Sequence, residues 1–157
     1  IYFEALSEVS VRVSHDLFIS KEMIPFDTDA VDRAINSFLS KDYIRIREID
    51  SFLIFPNVGY EWNEYLLESF LLSYSKKFAL VNNGLSLNNV AGFVVKKSGQ
   101  INDFIDACAA FLADGRIELK KVDALNYLAD MNVISRRGYK DIDLALRRAA
   151  QIRRRKE

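Results

Sequence analysis

The sequence predicts a mainly α-helical fold with a small β-hairpin, arranged as a winged-helix-like element followed by a helical bundle. Apolar residues recur at helical spacing in most segments, and two short apolar or alternating segments near residue 50 have the length of strands. The composition, half hydrophobic and 28% charged, is typical of a globular chain. We expect a single domain over residues 1–157, with the winged-helix-like part at 1–58 and the helical part at 59–157.

The first elements of the winged-helix-like part are two predicted helices. Residues 4–18 favour a helix, although Val9, Val11 and Val13 fit an alternating strand equally well. Asp27, Thr28 and Asp29 can each begin the second helix, because their side-chain oxygens can accept hydrogen bonds from the first N–H groups.

A β-hairpin is predicted directly after the second helix. Residues 43–47 alternate like a strand, and residues 52–55 form an apolar run that Pro56 ends. Asp50 lies in the expected turn between the two strands. A helix followed by such a hairpin is typical of the second half of a winged helix.

The helical part begins with the strongest helix prediction, at residues 61–81. Its apolar residues repeat on most sides, so we expect it to lie in the centre of the core. The remaining predicted elements are helices at about 86–94, 102–112, 121–131 and 140–156, an extended segment at 133–134 and a turn at 136–138.

Cysteine and histidine are almost absent from this chain. Cys108 alone excludes an intrachain disulfide, and together with the single histidine, His15, it cannot supply the four ligands of a usual zinc site. We therefore expect no metal and no cofactor. The single cysteine suits an intracellular location, either cytoplasmic or peripheral on the cytoplasmic face of a membrane. The apolar runs are too short to span a bilayer, and the start at Ile1 suggests part of a longer protein.

The sequence carries no recognisable catalytic motif. It has no glycine-rich phosphate loop and no Gly-x-Ser-x-Gly, and His15 and Asp16 are too close in sequence to aim easily at one substrate atom. We interpret His15 as an ordinary surface or packing residue and Cys108 as a small buried hydrophobe. The aromatic residues between Trp62 and Phe78 are interpreted as core, although such residues can also stack on bases.

Charge is divided unevenly along the chain. Residues 1–70 contain 13 acidic and 6 basic side chains, whereas residues 71–157 contain 9 acidic and 16 basic ones. A basic final helix is therefore the one feature that indicates a partner, and an anionic membrane surface, nucleic acid or simple solvation remain open for it. The candidate contact residues are Arg147, Arg148, Arg153, Arg154 and Arg155.

The order of several short motifs resembles the C-terminal region of membrane-associated glycerol-3-phosphate acyltransferases. The segments that carry the resemblance are Asp16-Leu17-Phe18-Ile19, residues 37–44 (SFLSKDYI), residues 52–55 (FLIF), residues 66–74 (LLESFLLSY), Gly115-Arg116-Ile117, residues 124–128 (ALNYL) and Val133-Ile134. The family's proline before its Phe-x-Glu-Ser-Tyr stretch is absent here.

The catalytic His-x-x-x-x-Asp block of that family has no counterpart in this chain. Ser20, not an acid, stands five residues after His15. The resemblance therefore implies an accessory, non-catalytic region of a glycerol-3-phosphate 1-O-acyltransferase of phospholipid biosynthesis. Such a region would contact an anionic membrane surface or the upstream catalytic domain. The alternatives are a winged-helix nucleic-acid-binding module, which the acidic charge of residues 29–55 disfavours, and a protein-interaction domain of a multidomain protein.

Overall fold

The computed structural model describes residues 2–134 and 138–156, and within these ranges the fold is mixed α/β. This finding corrects the predicted mainly α-helical fold, because two small antiparallel sheets accompany the helices. The elements are α1 (Tyr2–Val9), β1 (Ser10–Ser14), β2 (Leu17–Ser20), α2 (Thr28–Asn36), β3 (Tyr43–Arg45), α3 (Glu64–Ser73), β4 (Phe78–Val81), β5 (Phe93–Lys96), α4 (Phe104–Asp114), α5 (Lys121–Asp130) and α6 (Ile142–Lys156). Of the predicted turn at 136–138, residues 136 and 137 lie outside the described residues.

A three-stranded antiparallel sheet lies between two layers of helices. Its strand order is β3-β5-β4, so β5 is central and buried on both faces. Phe93 and Val95 point into a core shared with α4, α5 and α6, whereas Val94 points into a core shared with α2 and α3. Because successive side chains of β5 point to opposite faces of the sheet, this one strand packs into both cores and joins both halves of the chain. In addition, β3 pairs with β5 across the expected division at residue 58.

The hairpin predicted between residues 43–47 and 52–55 is wrong. Tyr43 is paired with Val95 instead, about fifty residues away, and residues 52–55 form a turn. Phe52 and Phe55 pack against the ring of Trp62, with centroid distances of 6.2 and 4.9 Å. The aromatic contacts hold the turn and pack Phe52 and Phe55 into the core of α2 and α3, whereas Leu53 and Ile54 between them are exposed.

The long helix predicted at 61–81 and the helix at 86–94 are also wrong. α3 begins at the N-cap Asn63 and ends at Ser73, and residues 78–81 become β4. Residues 93–96 become β5, paired antiparallel with β4 from Phe78↔Lys96 to Val81↔Phe93. Short apolar runs suit a helix or a strand equally well, and here pairing within the sheet decides for strands.

The N-terminal segment combines both predicted alternatives. α1 ends at Val9, and the β1–β2 hairpin follows with Val11 paired to Ile19. The hairpin covers α3, and the backbone N–H of Arg12 donates to Ser69 Oγ at 2.9 Å. The Arg12 guanidinium is buried over the ring of Tyr65, 4.2 Å from its centroid.

Several predictions based on local signals are confirmed. Of the three candidate N-caps, Asp27 is the one that caps α2, by accepting from the Ala30 N–H at 3.1 Å. α4 and α5 lie where expected, and Asp103 caps α4, one residue after the predicted start at 102. Cys108 is completely buried, and burial raises the pKa of its thiol, as befits a small core residue.

Candidate anion-binding surface

The basic C-terminal segment forms a regular helix whose apolar side is already covered. Ile142, Ala145 and Ala149 of α6 are buried in the core that α4 shares. Ile152 packs against the same core. An amphipathic helix that lies on a membrane inserts its apolar side among the lipids, and α6 uses that side inside the protein.

Two of the five predicted arginines have internal partners. Arg148 donates to Asp106 Oδ1 at 2.7 Å. Arg153 donates to the backbone oxygens of Leu112, Ala113 and Gly115 at 3.0, 3.1 and 2.6 Å. These oxygens belong to the C-terminal end of α4 and the residue after it, where a cation also complements the helix dipole.

We predict that Arg153→Ala lowers the free energy of unfolding by about 2 kcal/mol, because three carbonyls lose a charged donor. Arg154→Ala is the matched control, since Arg154 is exposed on the same helix and should change stability by less than about 0.5 kcal/mol. Urea denaturation followed by circular dichroism measures both. Equal stability of the two variants would contradict the role assigned to Arg153.

The other three predicted arginines, Arg147, Arg154 and Arg155, have exposed side chains. Arg155 lines a groove of about 620 Å³ between α6, α4 and the start of β3, here called the helix groove. Lys41 and Lys156 also line the groove, and both pair with Asp114, at 3.1 and 2.8 Å.

Asp114 connects three elements inside the helix groove. Its carboxylate accepts from Lys156 on α6, the Tyr43 hydroxyl on β3 and Lys41 just before β3. Partial burial opposes ionisation, but these hydrogen bonds outweigh it and lower the pKa of Asp114 to about 2. Asp114 is therefore ionised at neutral pH and cancels part of the positive charge in this groove.

A second, more strongly basic concavity lies at one end of the sheet. Four lysines, together with Asn36, Phe78 and Ser98, line a cleft of about 520 Å³, here called the lysine cleft. Its lysines are Lys76, Lys77, Lys96 and Lys97. No carboxylate lines the cleft within the described residues, although the exposed Asp29 lies 3.6 Å from Lys76 at its edge.

Strand pairing brings the four lysines together. Because Phe78 pairs with Lys96 in antiparallel register, the residues before β4 and after β5 meet at one end of the sheet. The Lys97 N–H donates to the Lys77 carbonyl at 2.9 Å and continues this ladder. Lys97 Nζ donates to the Ser75 carbonyl at 2.8 Å.

A buried carboxylate on α2 fixes the segment that carries the first lysine pair. Asp32 accepts from Ser75 Oγ at 2.6 Å and from the backbone N–H groups of Lys76 and Lys77 at 3.1 and 3.2 Å. Ser75 Oγ in turn accepts from the Phe78 N–H at 2.9 Å. The start of β4 and the two lysines are therefore held by side chains, not only by the sheet.

The lysine cleft and the helix groove adjoin each other. The Lys96 N–H donates to the Asp42 carbonyl at 2.9 Å, and Asp42 lines the helix groove. A tight turn follows, in which the Gly99 N–H donates to the Lys96 carbonyl, and Gln100 beyond it lines the helix groove. We call the two concavities together the basic surface.

Sequence reasoning missed the lysine cleft. Lys76 and Lys77 fall near the end of the predicted helix at 61–81, and the pair at 96–97 lies just beyond the predicted helix at 86–94. The available signal was two Lys-Lys pairs at the outer ends of two short apolar runs. The two lysine pairs come together only if the two runs form an antiparallel pair of strands. The helices predicted at 61–81 and 86–94 do not allow that pairing.

His15 lies outside the basic surface. Its Nε2 lies 2.8 Å from Asn88 Oδ1, and its ring packs edge-on against Tyr65 at 5.6 Å. Among the described residues, no group of three or more His, Cys, Asp or Glu side chains is arranged to hold a metal ion. The helices described here include none with the length and apolarity needed to cross a membrane.

Comparisons of the chain with protein-family models, with curated proteins and with solved structures find no match. The arrangement of the side chains themselves is therefore the basis for a functional proposal.

Proposed function

We propose that this chain is an accessory binding module, without catalytic machinery of its own, that docks onto a polyanion through the basic surface. The observation that carries the proposal is the lysine cleft, which is lined by four lysines and by no carboxylate of the described residues. Like charges held together repel one another, so an anionic ligand would relieve the repulsion.

The order of the elements supports a winged-helix-like scaffold for this module. α2, β3, α3, β4 and β5 follow one another as helix, strand, helix, strand and strand, and the strands have the order β3-β5-β4. A nucleic-acid-binding winged helix would use the second of these helices to enter a groove of DNA. We propose a winged-helix-like scaffold for this chain, but we do not propose that α3 enters a groove of DNA.

The surroundings of α3 explain this restriction. Leu66 is buried against the β1–β2 hairpin, and the first residue of the same helix is the acidic Glu64. A helix that is covered on one side and begins with a carboxylate is a poor ligand for phosphate. The basic surface, on the other hand, is formed by the end of the sheet and by α6. Eight lysine and arginine side chains line it, against the three carboxylates Asp42, Asp106 and Asp114, all in the helix groove.

Heparin-affinity chromatography tests the proposal with a generic polyanion. We expect the wild-type chain to be retained and to elute with salt, because released counterions make such binding salt-dependent. Lys76→Glu/Lys77→Glu should elute at a clearly lower salt concentration. Lys120→Glu/Lys121→Glu changes the charge equally at an adjacent lysine pair that lines neither concavity, and should elute close to the wild type.

Equal shifts for the two double variants would mean that net charge alone governs retention, and the proposal would then fail. Thermal unfolding of each variant checks that the fold is retained. Because Lys76 and Lys77 have exposed side chains, we expect small changes in midpoint.

The acyltransferase resemblance remains a prediction, supported by motif order. It requires a His-x-x-x-x-Asp block in the residues that precede this chain in the native protein. Sequencing the gene upstream tests it directly, and absence of that block would remove the prediction. A protein partner is the remaining alternative, and a stable protein complex that persists in the Lys76→Glu/Lys77→Glu variant would favour it.

A further inference from the structure

We infer that the polyanion is a double-stranded nucleic acid, contacted through its sugar–phosphate backbone without reading of the bases. This inference rests on the proposed polyanion docking and narrows it to one ligand class. Three features of the basic surface carry it: the kind of polar groups beside the cations, the position of the aromatic rings and the position of the exposed apolar side chains.

Neutral hydrogen-bonding side chains accompany the cations in both concavities. Asn36 and Ser98 line the lysine cleft, and Gln100 and Gln151 line the helix groove. Proteins contact phosphates and sugars with this mixture of lysine, arginine, serine, asparagine and glutamine. Lys76 and Lys77 directly precede β4, whereas Lys96 ends β5 and Lys97 follows it, so two adjacent chain segments supply the lysines.

The aromatic rings of the basic surface are not available for base stacking. Phe78 in the lysine cleft is buried, with 1% of its surface exposed. Tyr43 in the helix groove is partly buried, donates its hydroxyl hydrogen to Asp114 and packs edge-on against Phe93 at 5.8 Å. Single-stranded nucleic acids are bound mainly by stacking on exposed rings, so the surface suits a duplex, whose phosphates face outward.

A membrane surface fits less well than a duplex. None of the large apolar side chains that are exposed in the described residues lines either concavity. The most exposed of them, Leu53, lies on the turn at 52–55. A peripheral membrane protein combines basic residues with exposed apolar ones that enter the lipid, and the exposed large apolar side chains of the described residues lie away from the basic surface.

Fluorescence anisotropy with a labelled 20-base-pair duplex tests the inference. Affinity is measured at several salt concentrations for the full chain, with two duplexes of unrelated sequence and with one of their single strands. We expect both duplexes to bind equally and more tightly than the single strand. Lys76→Ala/Lys77→Ala should weaken binding and reduce the steepness of log K against log salt by about 1.8, since each lost phosphate contact contributes about 0.9.

Lys120→Ala/Lys121→Ala is the matched control and should leave affinity and salt slope unchanged within error. Vesicles containing phosphatidylserine are measured beside the duplexes. Retention on heparin without duplex binding, tighter binding to the single strand, or binding to the vesicles alone would overturn the inference and leave polyanion docking intact. Failure to bind heparin as well would remove both.

Discussion

Asp32→Ala is expected to lower the free energy of unfolding by about 3 kcal/mol. The side chain is buried and accepts three hydrogen bonds, from the Ser75 hydroxyl and from two backbone N–H groups. Without the carboxylate these donors stay largely buried without an acceptor, and each such group costs about 1–3 kcal/mol. Urea denaturation at pH 7 measures the loss.

Two further variants sharpen this experiment. Asp29→Ala removes an exposed carboxylate from the same helix, one that lies 3.6 Å from the exposed Lys76, and should cost less than about 0.5 kcal/mol. Asp32→Asn keeps the acceptor for Ser75 but places an NH₂ group opposite the two N–H donors, so it should recover only part of the loss. Full stability of Asp32→Asn would contradict the assigned hydrogen bonds.

Glu68→Gln is expected to change the free energy of unfolding more favourably at pH 8 than at pH 5. The difference between the two changes should be about 3 kcal/mol. Glu68 is 2% exposed, and burial raises the pKa of its carboxyl from the ordinary 4.5 to about 7, although the nearby Arg12 lowers it. Glu64 adds a smaller repulsion that also raises this pKa. A change of one in pKa corresponds to about 1.4 kcal/mol.

The direction of this pH dependence follows from proton binding. Between pH 4.5 and 7 the folded protein holds a proton on Glu68 that the unfolded chain has released, so stability from this group falls as the pH rises through that window. Glutamine resembles the protonated form and does not titrate. Denaturation curves at pH 5, 6.5 and 8 should therefore diverge between wild type and variant, and parallel curves would refute the raised pKa.

Elements with local signals were predictable from the sequence. Asp27 supplies an N-cap to α2, and α5 presents apolar residues at helical spacing over its whole length. In both cases, residues within a few positions determine the hydrogen bonds and the buried side. The same locality explains why Cys108 was correctly placed in the core, since its neighbours on α4 define one apolar side.

The sheet could not be predicted in this way. β3 pairs with β5 across about fifty residues, and residues 78–81 and 93–96 are too short to distinguish a strand from a turn of helix. The run at 52–55 looked like the partner of β3, but it folds onto Trp62 instead. Contacts that are distant in sequence decide whether an apolar run pairs as a strand or packs against other side chains. Local composition does not indicate those contacts.

The candidate site shows the same division. Composition alone revealed a basic C-terminal helix and a chain without catalytic motifs, because charge and residue type are properties of the sequence itself. Only the tertiary structure assigned Arg153 to the end of α4 and brought Lys77 beside Lys97. The physical reason is that a hydrogen bond or a cluster of charges depends on distance in space, and antiparallel pairing and helix packing set that distance after the chain has folded.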